Sequence, residues 1–283
     1  MILIADSGST KTEWSLVKDN LEVVGLISQG INPFYQTDEM IVSILRHELL
    51  DKMEWGNERL DKVCFYGAGV RPEMKSRMGR LLAEVLHAVC VTVDSDLVGA
   101  ARALFGQSEG IACILGTGSN SGLYDGREIV ACTPPLGFIL GDEGSGAVLG
   151  KLFLGALYKG LMPEGMREDY ESQTGQTVVD VIEAVYRKPL PNRYLARTSE
   201  FILQHIDVPE VVDLVIDSFR QFFRRNLTQY HRKDLSVRAV GSVAAYYHKW
   251  ITLAAEQEGY KIDKIMKNPM PGLIDYHTAD TLL

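Results

Sequence analysis

Ile2-Leu-Ile-Ala-Asp6-Ser-Gly8-Ser-Thr-Lys-Thr12-Glu-Trp-Ser-Leu-Val17 is the stretch from which the fold can be read. An apolar run ends in an acid, a small polar turn follows, and a second run alternates in character. That pattern predicts strand, tight turn, strand. Gly8 permits close approach of a ligand or a positive φ. Ser7, Ser9, Thr10 and Thr12 supply hydroxyls, and Lys11 supplies a charge. Consecutive N–H groups in such a turn can form an anion-binding nest. Asp6, at the strand end, is placed to hold Mg²⁺ through water, because Mg²⁺ takes few carboxylates and keeps its waters. A hairpin with an ordinary polar turn fits the same letters, and the rest of the chain has to separate the two readings.

Downstream, residues 21–28 alternate as a third antiparallel strand, and Gly30-Ile-Asn32-Pro33-Phe34 is a loop. A helix is expected over 39–51, with Ile41, Ile44, Leu45 and Leu49 at helical spacing. A strand over 62–66 ends at Gly67-Ala-Gly69, and a helix over 71–87 follows. A strand over 88–93 ends at Asp94-Ser95-Asp96, and a short helix of small residues covers 97–104. Residues 1–105 thus read βββαβαβα, a mixed sheet with helices on its faces. The pattern then restarts with a strand over 110–115, a turn at Gly116-Thr117-Gly118-Ser119-Asn120, and strands over 121–124 and 127–132 around Asp125-Gly126. Thr117–Asn120 repeats the chemistry of Ser7–Thr10, which predicts two related halves. Chance likeness between Gly/Ser turns is the alternative.

The Gly-rich run 134–146 leads into a helix over 147–158. Gly144-x-Gly146 is no dinucleotide fingerprint. The spacing is wrong, and Asp142-Glu143 would repel a pyrophosphate at the helix start. Those acids could instead cap the helix, bond sugar hydroxyls or act through Mg²⁺. Residues 162–232 read as mainly helical. The longest helix is expected over 209–231, with Phe219, Phe222, Phe223 and Leu227 in its apolar stripe and Arg220, Arg224, Arg225 and Arg232 on its solvated side. A strand over 236–240 meets Gly241-Ser242, where backbone can approach an adenosine or phosphate. A helix over 244–258, a strand over 260–266, a turn at 269–272 and a closing helix or tail over 273–283 complete the order.

A chain of 283 residues implies two domains. Its net charge of -8 argues against a nucleic-acid surface, though not against an Mg²⁺-bound anion. No apolar run reaches the roughly 18–20 residues of a membrane span, and the N-terminus shows no leader signature, so a cytoplasmic protein is expected. Cys64, Cys90, Cys113 and Cys132 lie far apart, without a CxxC, and read as strand-buried reduced thiols rather than a zinc or iron–sulfur site.

Five segments in order resemble the sugar kinase/heat-shock-70/actin superfamily, and within it the N-acetylglucosamine kinase-like group of the BadF/BadG/BcrA/BcrD-type ATPase family. They are Asp6-Ser-Gly-Ser-Thr-Lys-Thr12, Asp96 with Gly99-Ala100, Gly116-Thr-Gly-Ser-Asn120, Gly137 with Gly141-Asp-Glu-Gly-Ser145, and Gly241-Ser-Val243. The resemblance spans essentially the whole chain. It implies an α/β fold of two actin-like (ribonuclease H-like) domains, each a βββαβα mixed sheet with helices on both faces, with ATP in the cleft between them. The domains are expected over 1–106 and 107–269, with a helical insertion over 160–232 and the 270–283 tail packed back on the first. Ser7, Gly8, Ser9, Thr10, Lys11, Thr12, Gly116, Thr117, Gly118, Ser119, Gly241 and Ser242 are the expected ATP and phosphate residues. Asn32, Asp96, Asn120, Gly137 and Asp142 are the implied sugar residues, with Asp96 as general base. Asp94 is its near rival, and Asp96 could be an N-cap and the base at once. The first loop carries one glycine where many relatives carry two, and Pro-Pro-Leu precedes Gly137 where relatives have a Gly-Gly pair.

The expected reaction is ATP-dependent phosphorylation of an amino sugar, N-acetylglucosamine to its 6-phosphate being the first choice, with Mg²⁺ and no nucleic-acid or membrane partner. Two alternatives stay open. One is an ATPase activator of a dehydratase or reductase, which the cysteine placement disfavours. The other is a catalytically silent sugar or nucleotide sensor, which Asp6, Asp96 and both turns disfavour. A homodimer rests on family analogy alone.

Overall fold

The computed structural model describes every residue except 9, 54–58 and 280–283. The opening stretch folds as β1 (Ile2–Ser7) and β2 (Lys11–Lys18), continued by β3 (Leu21–Gln29). Helix α1 (Asp38–Ile44), β4 (Lys62–Gly67), α2 (Pro72–Leu86), β5 (Cys90–Ser95) and α3 (Asp96–Phe105) follow. These strands form a five-stranded sheet in the order β3-β2-β1-β4-β5. β1–β2–β3 is antiparallel, and β1–β4 and β4–β5 are parallel.

β1 is buried on both faces, as a central strand with helices on either side should be. Its period of two sends Leu3 and Ala5 into a core with Trp14, Leu16, Met78 and Leu82. Ile4 points the other way, into a smaller core with Val17, Cys64, Tyr66 and Ala103. Asp6 shares the parity of Ile4, and so lies on the face that α3 covers.

The second half repeats the plan. β6 (Gly110–Leu115), β7 (Ser119–Tyr124) and β8 (Ile129–Cys132) are followed by α4 (Gly137–Leu140), α5 (Gly146–Tyr158), α6 (Met166–Thr174), α7 (Val178–Tyr186), α8 (Pro191–Gln204) and α9 (Pro209–Phe222). Then come β9 (Val237–Val240), α10 (Ser242–Tyr246), α11 (His248–Gln257) and β10 (Ile262–Met266). The sheet order is β8-β7-β6-β9-β10, the first sheet's order with each strand replaced by its counterpart. The restart at Gly110 is therefore a repeat of topology as well as of turn chemistry. Its core is larger, with Phe153, Phe201, Phe219, Phe222 and Phe223 buried among the helices.

The last helix, α12 (Met270–Ala279), returns to the first sheet, packing on α3, β1 and β2. Met270 and Leu273 complete the core that holds Ile4. A Cβ at Gly272 would stand 2.3 Å from the Ala103 carbonyl oxygen, so the two helices touch backbone to backbone. By packing the chain divides into Met1–Ser108 with Gly126–Ile129 and Asn268–Leu283, and Glu109–Asp125 with Val130–Lys267.

Three expected helices differ. The one over 39–51 leaves the α-helical path after Ile44 and continues as a π-helical turn, Leu45–Leu50, in which Asp51 N–H reaches the Arg46 carbonyl at 2.9 Å. The one over 209–231 ends at Phe222 and continues as a π turn, Phe223–Leu227, and a 3₁₀ turn, Thr228–Tyr230. The wider turn lets adjacent Phe222 and Phe223 both bury fully, with Asn226, Leu227 and Tyr230 also turned inward. The one over 244–258 breaks at Tyr247, whose hydroxyl donates to the Ser199 carbonyl. The cysteine expectation is half corrected. Cys64 and Cys113 are buried in inner strands, but Cys90 and Cys132 stand exposed on β5 and β8, the sheet edges. All four are free thiols.

Candidate active site

In the first unit the parallel register lines up the C-terminal ends of three strands. Ser7, Gly67 and Ser95 form one row, and Asp6, Tyr66 and Asp94 form the row below. Ligands of open α/β sheets bind beyond such ends. Asp96 follows Ser95 directly as the first residue of α3. The cap of that helix is Ser95, whose Oγ accepts the Val98 N–H at 3.3 Å, so the N-cap role read for Asp96 belongs to its neighbour. Asp96 is left with its carboxylate on backbone N–H groups, Leu97 at 2.9 Å among them.

Burial pushes the Asp96 carboxyl up to about 6, against those N–H bonds. Burial first, then the charges of Asp96 and Glu13, push Asp6 up to about 7, and Lys11 opposes them. Asp94 is differently placed. Lys75 Nζ at 2.6 Å and an Arg102 NH group at 2.9 Å occupy its two oxygens. The same Arg102 group also donates to the Tyr66 hydroxyl at 2.9 Å, and that hydroxyl lies 2.8 Å from His277 Nε2 of α12. Asp94 is thus an anchor of the framework, whereas the contacts of Asp96 are with backbone N–H groups.

The opening turn divides. Ser7 and Thr12 are fully buried, their hydroxyl oxygens 2.6 Å apart. Ser7 Oγ donates to the Ile31 carbonyl, and both oxygens accept the Ile31 N–H, at 3.0 and 3.2 Å. Thr12 also donates to the Gln29 carbonyl at 3.1 Å. Both hydroxyls, read from sequence as phosphate ligands, are spent on holding residues 29–31. Gly8 does not use a positive φ, and a Cβ there would meet only the Lys11 carbonyl oxygen, at 3.8 Å. Thr10 is exposed, its carbonyl accepting the Gly30 N–H at 3.3 Å. Lys11 is 3.4 Å from Glu13 Oε2. Ser9 lies outside the described residues.

The bolted 29–31 segment delivers Asn32. Its Oδ1 accepts the Phe34 N–H at 3.0 Å, an Asx turn, and its N–H donates to Gln36 Oε1 at 2.7 Å. Its side chain lies over Gly69, just past β4, where φ is +74° and a Cβ would fall 2.1 Å from Asn32 Oδ1. Gly69, which the sequence marked only as a strand end, is therefore what admits Asn32 there.

In the second unit the ends of β6 and β9 meet. Val240 pairs with Ile114, and Gly241, at φ +126°, would place a Cβ 2.2 Å from the Leu115 carbonyl oxygen. Only glycine fits. Gly241-Ser242 and the Gly116–Ser119 turn, both expected at the nucleotide, are thus brought side by side. Helix α5 abuts the turn with its N-terminus, Gly146 N–H donating to Gly116 O at 2.8 Å and Ala147 N–H to Thr117 O at 3.1 Å. Its cap is Ser145, whose Oγ accepts the Val148 N–H at 3.2 Å, so the capping role left open for Asp142 and Glu143 goes to neither.

Asp142 instead folds back on Gly118, its Oδ2 3.0 Å from where a Cβ would stand, and accepts the Ser119 N–H. Burial foremost raises it to about 6, and the Glu143 charge adds to this. Asn120 Oδ1 accepts the Ser121 N–H at 2.9 Å. Gly137 is exposed, opens α4 at φ +75° and has open space where a Cβ would be. Glu143, read from sequence as a possible cap, sugar or Mg²⁺ acid, instead holds this loop together with Asn226 and Thr133, two residues not singled out from sequence, whose contacts across the loop, 83 and 93 residues long, leave no local signal.

No family model and no curated protein matches the chain. Solved structures do. A proposed N-acetylglucosamine kinase from Porphyromonas gingivalis is 48% identical, with 99% of this chain and 100% of that one covered at TM-score 0.97. A second proposed N-acetylglucosamine kinase, from Chromobacterium violaceum, is 17% identical over 97% and 98% of the two chains at TM-score 0.76. A ROK-family glucokinase from Streptomyces griseus, solved with glucose and AMPPNP, shares the fold at 11% identity and TM-score 0.55, covering 97% of each chain.

Proposed function

Since the chain belongs to the N-acetylglucosamine kinase-like family of sugar kinases, we propose that it transfers the γ-phosphoryl group of ATP to an amino sugar, N-acetylglucosamine at its 6-hydroxyl being the first candidate. The observation that carries this reading is the state of Asp96. It stands at the start of α3 beyond the ends of parallel strands, its carboxylate held by backbone N–H groups and raised to about 6. A base so raised is still ionised at neutral pH and binds a proton more readily than an ordinary carboxylate.

In the proposed reaction the sugar hydroxyl oxygen bonds to the γ-phosphorus as the bond to the β-bridging oxygen breaks, ADP leaves, and Asp96 takes the hydroxyl proton. Such catalysis is mainly positioning and charge stabilisation. Asn32, Asn120, Gly137 and Asp142 are the residues proposed to orient the sugar. Gly8, Thr10, Lys11 and Gly116–Ser119 are proposed for the phosphates, and Gly241 and Ser242 for the adenosine side.

Mg²⁺ fits the residues present. Asp6 and Asp96 put two acids in one field with only Lys11 to oppose them at Asp6. Among the described residues no group of three or more potential ligands forms a ready cage, and Mg²⁺ that enters with nucleotide needs only one or two carboxylates. Asp6 would hold it through water, and the ion would supply charge neutralisation to the phosphates.

A coupled ADP-release assay across N-acetylglucosamine, N-acetylmannosamine, glucosamine and glucose tests the proposal. ADP release above background with an amino sugar is expected. None with any sugar at millimolar concentration would refute it.

A further inference from the structure

Asn226 grips both ends of one loop. Its main-chain carbonyl accepts from Thr133 Oγ1 at 2.7 Å, and its side-chain Nδ2 donates to Glu143 Oε2 at 3.2 Å and to the Phe222 carbonyl at 3.1 Å. The residue is 6% exposed. Between Thr133 and Glu143 runs the segment that carries Gly137 and Asp142.

That segment closes on itself, Gly141 N–H donating to the Gly137 carbonyl at 2.7 Å and Asp142 N–H to the Pro135 carbonyl at 2.9 Å, and Lys151 Nζ donates to the Phe138 carbonyl at 2.6 Å. Leu136 and Asp142 sit at φ +61° and +53°, a region uncommon for residues other than glycine and more costly for Leu than for Asp. Leu136, Ile139 and Leu140 are 63%, 73% and 71% exposed, so apolar burial does little to stabilise its apex. Further constraints act at the stems. The Tyr230 hydroxyl accepts the Thr133 N–H at 3.1 Å, the Glu143 carbonyl accepts from Ser119 Oγ at 2.8 Å, and an Arg225 NH group reaches Glu143 Oε1 at 3.3 Å.

Asn226, Arg225 and Tyr230 all come from the π and 3₁₀ turns that end α9. A π turn shifts the phase of the helix face. Here it lets Asn226 turn inward beside Phe222, Phe223 and Leu227, where a polar side chain must be paired, and the loop stems supply the partners.

Resting on the kinase reading, we propose that Asn226, acting through Glu143 and Thr133, is a positioning residue for the acceptor sugar. It fixes the stems of the 133–143 loop and thereby the aim of Asp142. The charge of Glu143 is itself among the causes that raise Asp142, so the clamp also bears on that acid's ionisation.

Two variants test this, Asn226→Ala and Thr133→Val, the second keeping the test alive if the first does not fold. Hydrogen exchange of the 133–143 amides, followed by mass spectrometry on the ligand-free chain, is expected to speed up about tenfold in Asn226→Ala, the size expected for a hydrogen bond lost from a buried charged group, with less effect in Thr133→Val. The KM for sugar is expected to rise about tenfold while that for ATP stays within about twofold, the split that separates positioning from general damage. Unchanged exchange across 133–143 in the folded variants overturns the proposal. So does faster exchange with an unchanged sugar KM, or an equal rise in both KM values. A wild-type chain that phosphorylates no sugar refutes the kinase reading and this sugar role with it, while the exchange measurement still decides whether Asn226 clamps the loop.

Discussion

The negative charge of Asp96 reaches Asp6 and, after burial, is the next largest cause that raises the Asp6 carboxyl to about 7. Two acids that resist ionisation lie at the ends of β1 and β5, two strands apart in one sheet, while Asp94, two residues before Asp96, is ion-paired with Lys75 and Arg102. The contrast gives Asp94 a framework duty and is the ground on which Asp96 is proposed as the base.

Asp96 can accept a proton only when ionised, so kcat/KM for the sugar, which reports the free enzyme, should fall as pH drops through about 6 and level off above it. A limb near 4, the ordinary carboxylate value, in a profile from pH 4 to 9 would remove Asp96 from the role. Asp96→Asn should keep the circular dichroism spectrum of the parent and lose about 10²- to 10⁴-fold in kcat.

Asp6 carries a stability signature of opposite sense. Its folded carboxyl is raised, so the folded chain holds a proton that the unfolded chain releases, and stability falls as pH rises from about 4 to about 7. Asp6→Asn should therefore stabilise the ligand-free chain at pH 8, by up to about 4 kcal/mol at about 1.4 kcal/mol per pKa unit, and solvent screening lowers that figure. The gain should shrink towards pH 4. Denaturant melts at both pH values measure it, and an equal gain at each would contradict the assignment.

Ser7 and Thr12 hold Ile31 and so place Asn32. Ser7→Ala should raise the KM for sugar several-fold and leave that for ATP nearly unchanged, at a stability cost of about 1–2 kcal/mol. A dominant rise in the KM for ATP would return Ser7 to the phosphates.

Gly241→Ala would drive a Cβ into the Leu115 carbonyl at φ +126°. Backbone must move, so a loss of at least about 2 kcal/mol is expected, with weakened nucleotide binding by calorimetry. A melting curve matching the parent would show that the β6–β9 junction is looser than its geometry.

Exposed Cys90 and Cys132 are the thiols an activator-type iron–sulfur site would have to use. Purified protein should be colourless and contain no iron by elemental analysis. A brown, iron-bearing preparation would favour the activator reading over the kinase.

Much of the fold was legible because alternation and turn chemistry are local. The β1–β2 turn, the restart at Gly110 and the glycine at 241 each declare themselves within a few residues. What escaped is set at long range. Adjacent Phe222 and Phe223 fit a regular stripe in letters, and only the core that swallows both forces the π turn. Cys90 and Cys132 read like buried strand residues until strand order puts β5 and β8 at the edges. The burial of Ser7 and Thr12 depends on Ile31, whose approach no turn pattern encodes. Asp94 was separable from Asp96 only once Arg102, two helical turns on, was seen to close on it.

Helix α12 sets an order of events during synthesis. The second sheet has all its strands once Met266 is made. The first has all of its strands far earlier, by Ser95, yet Ile4, Val17 and Cys64 lack Met270 and Leu273 over them until α12 leaves the ribosome. The half that is translated first is thus the half that finishes last, and through most of translation the part of this apolar face that α3 leaves open is what a chaperone would meet.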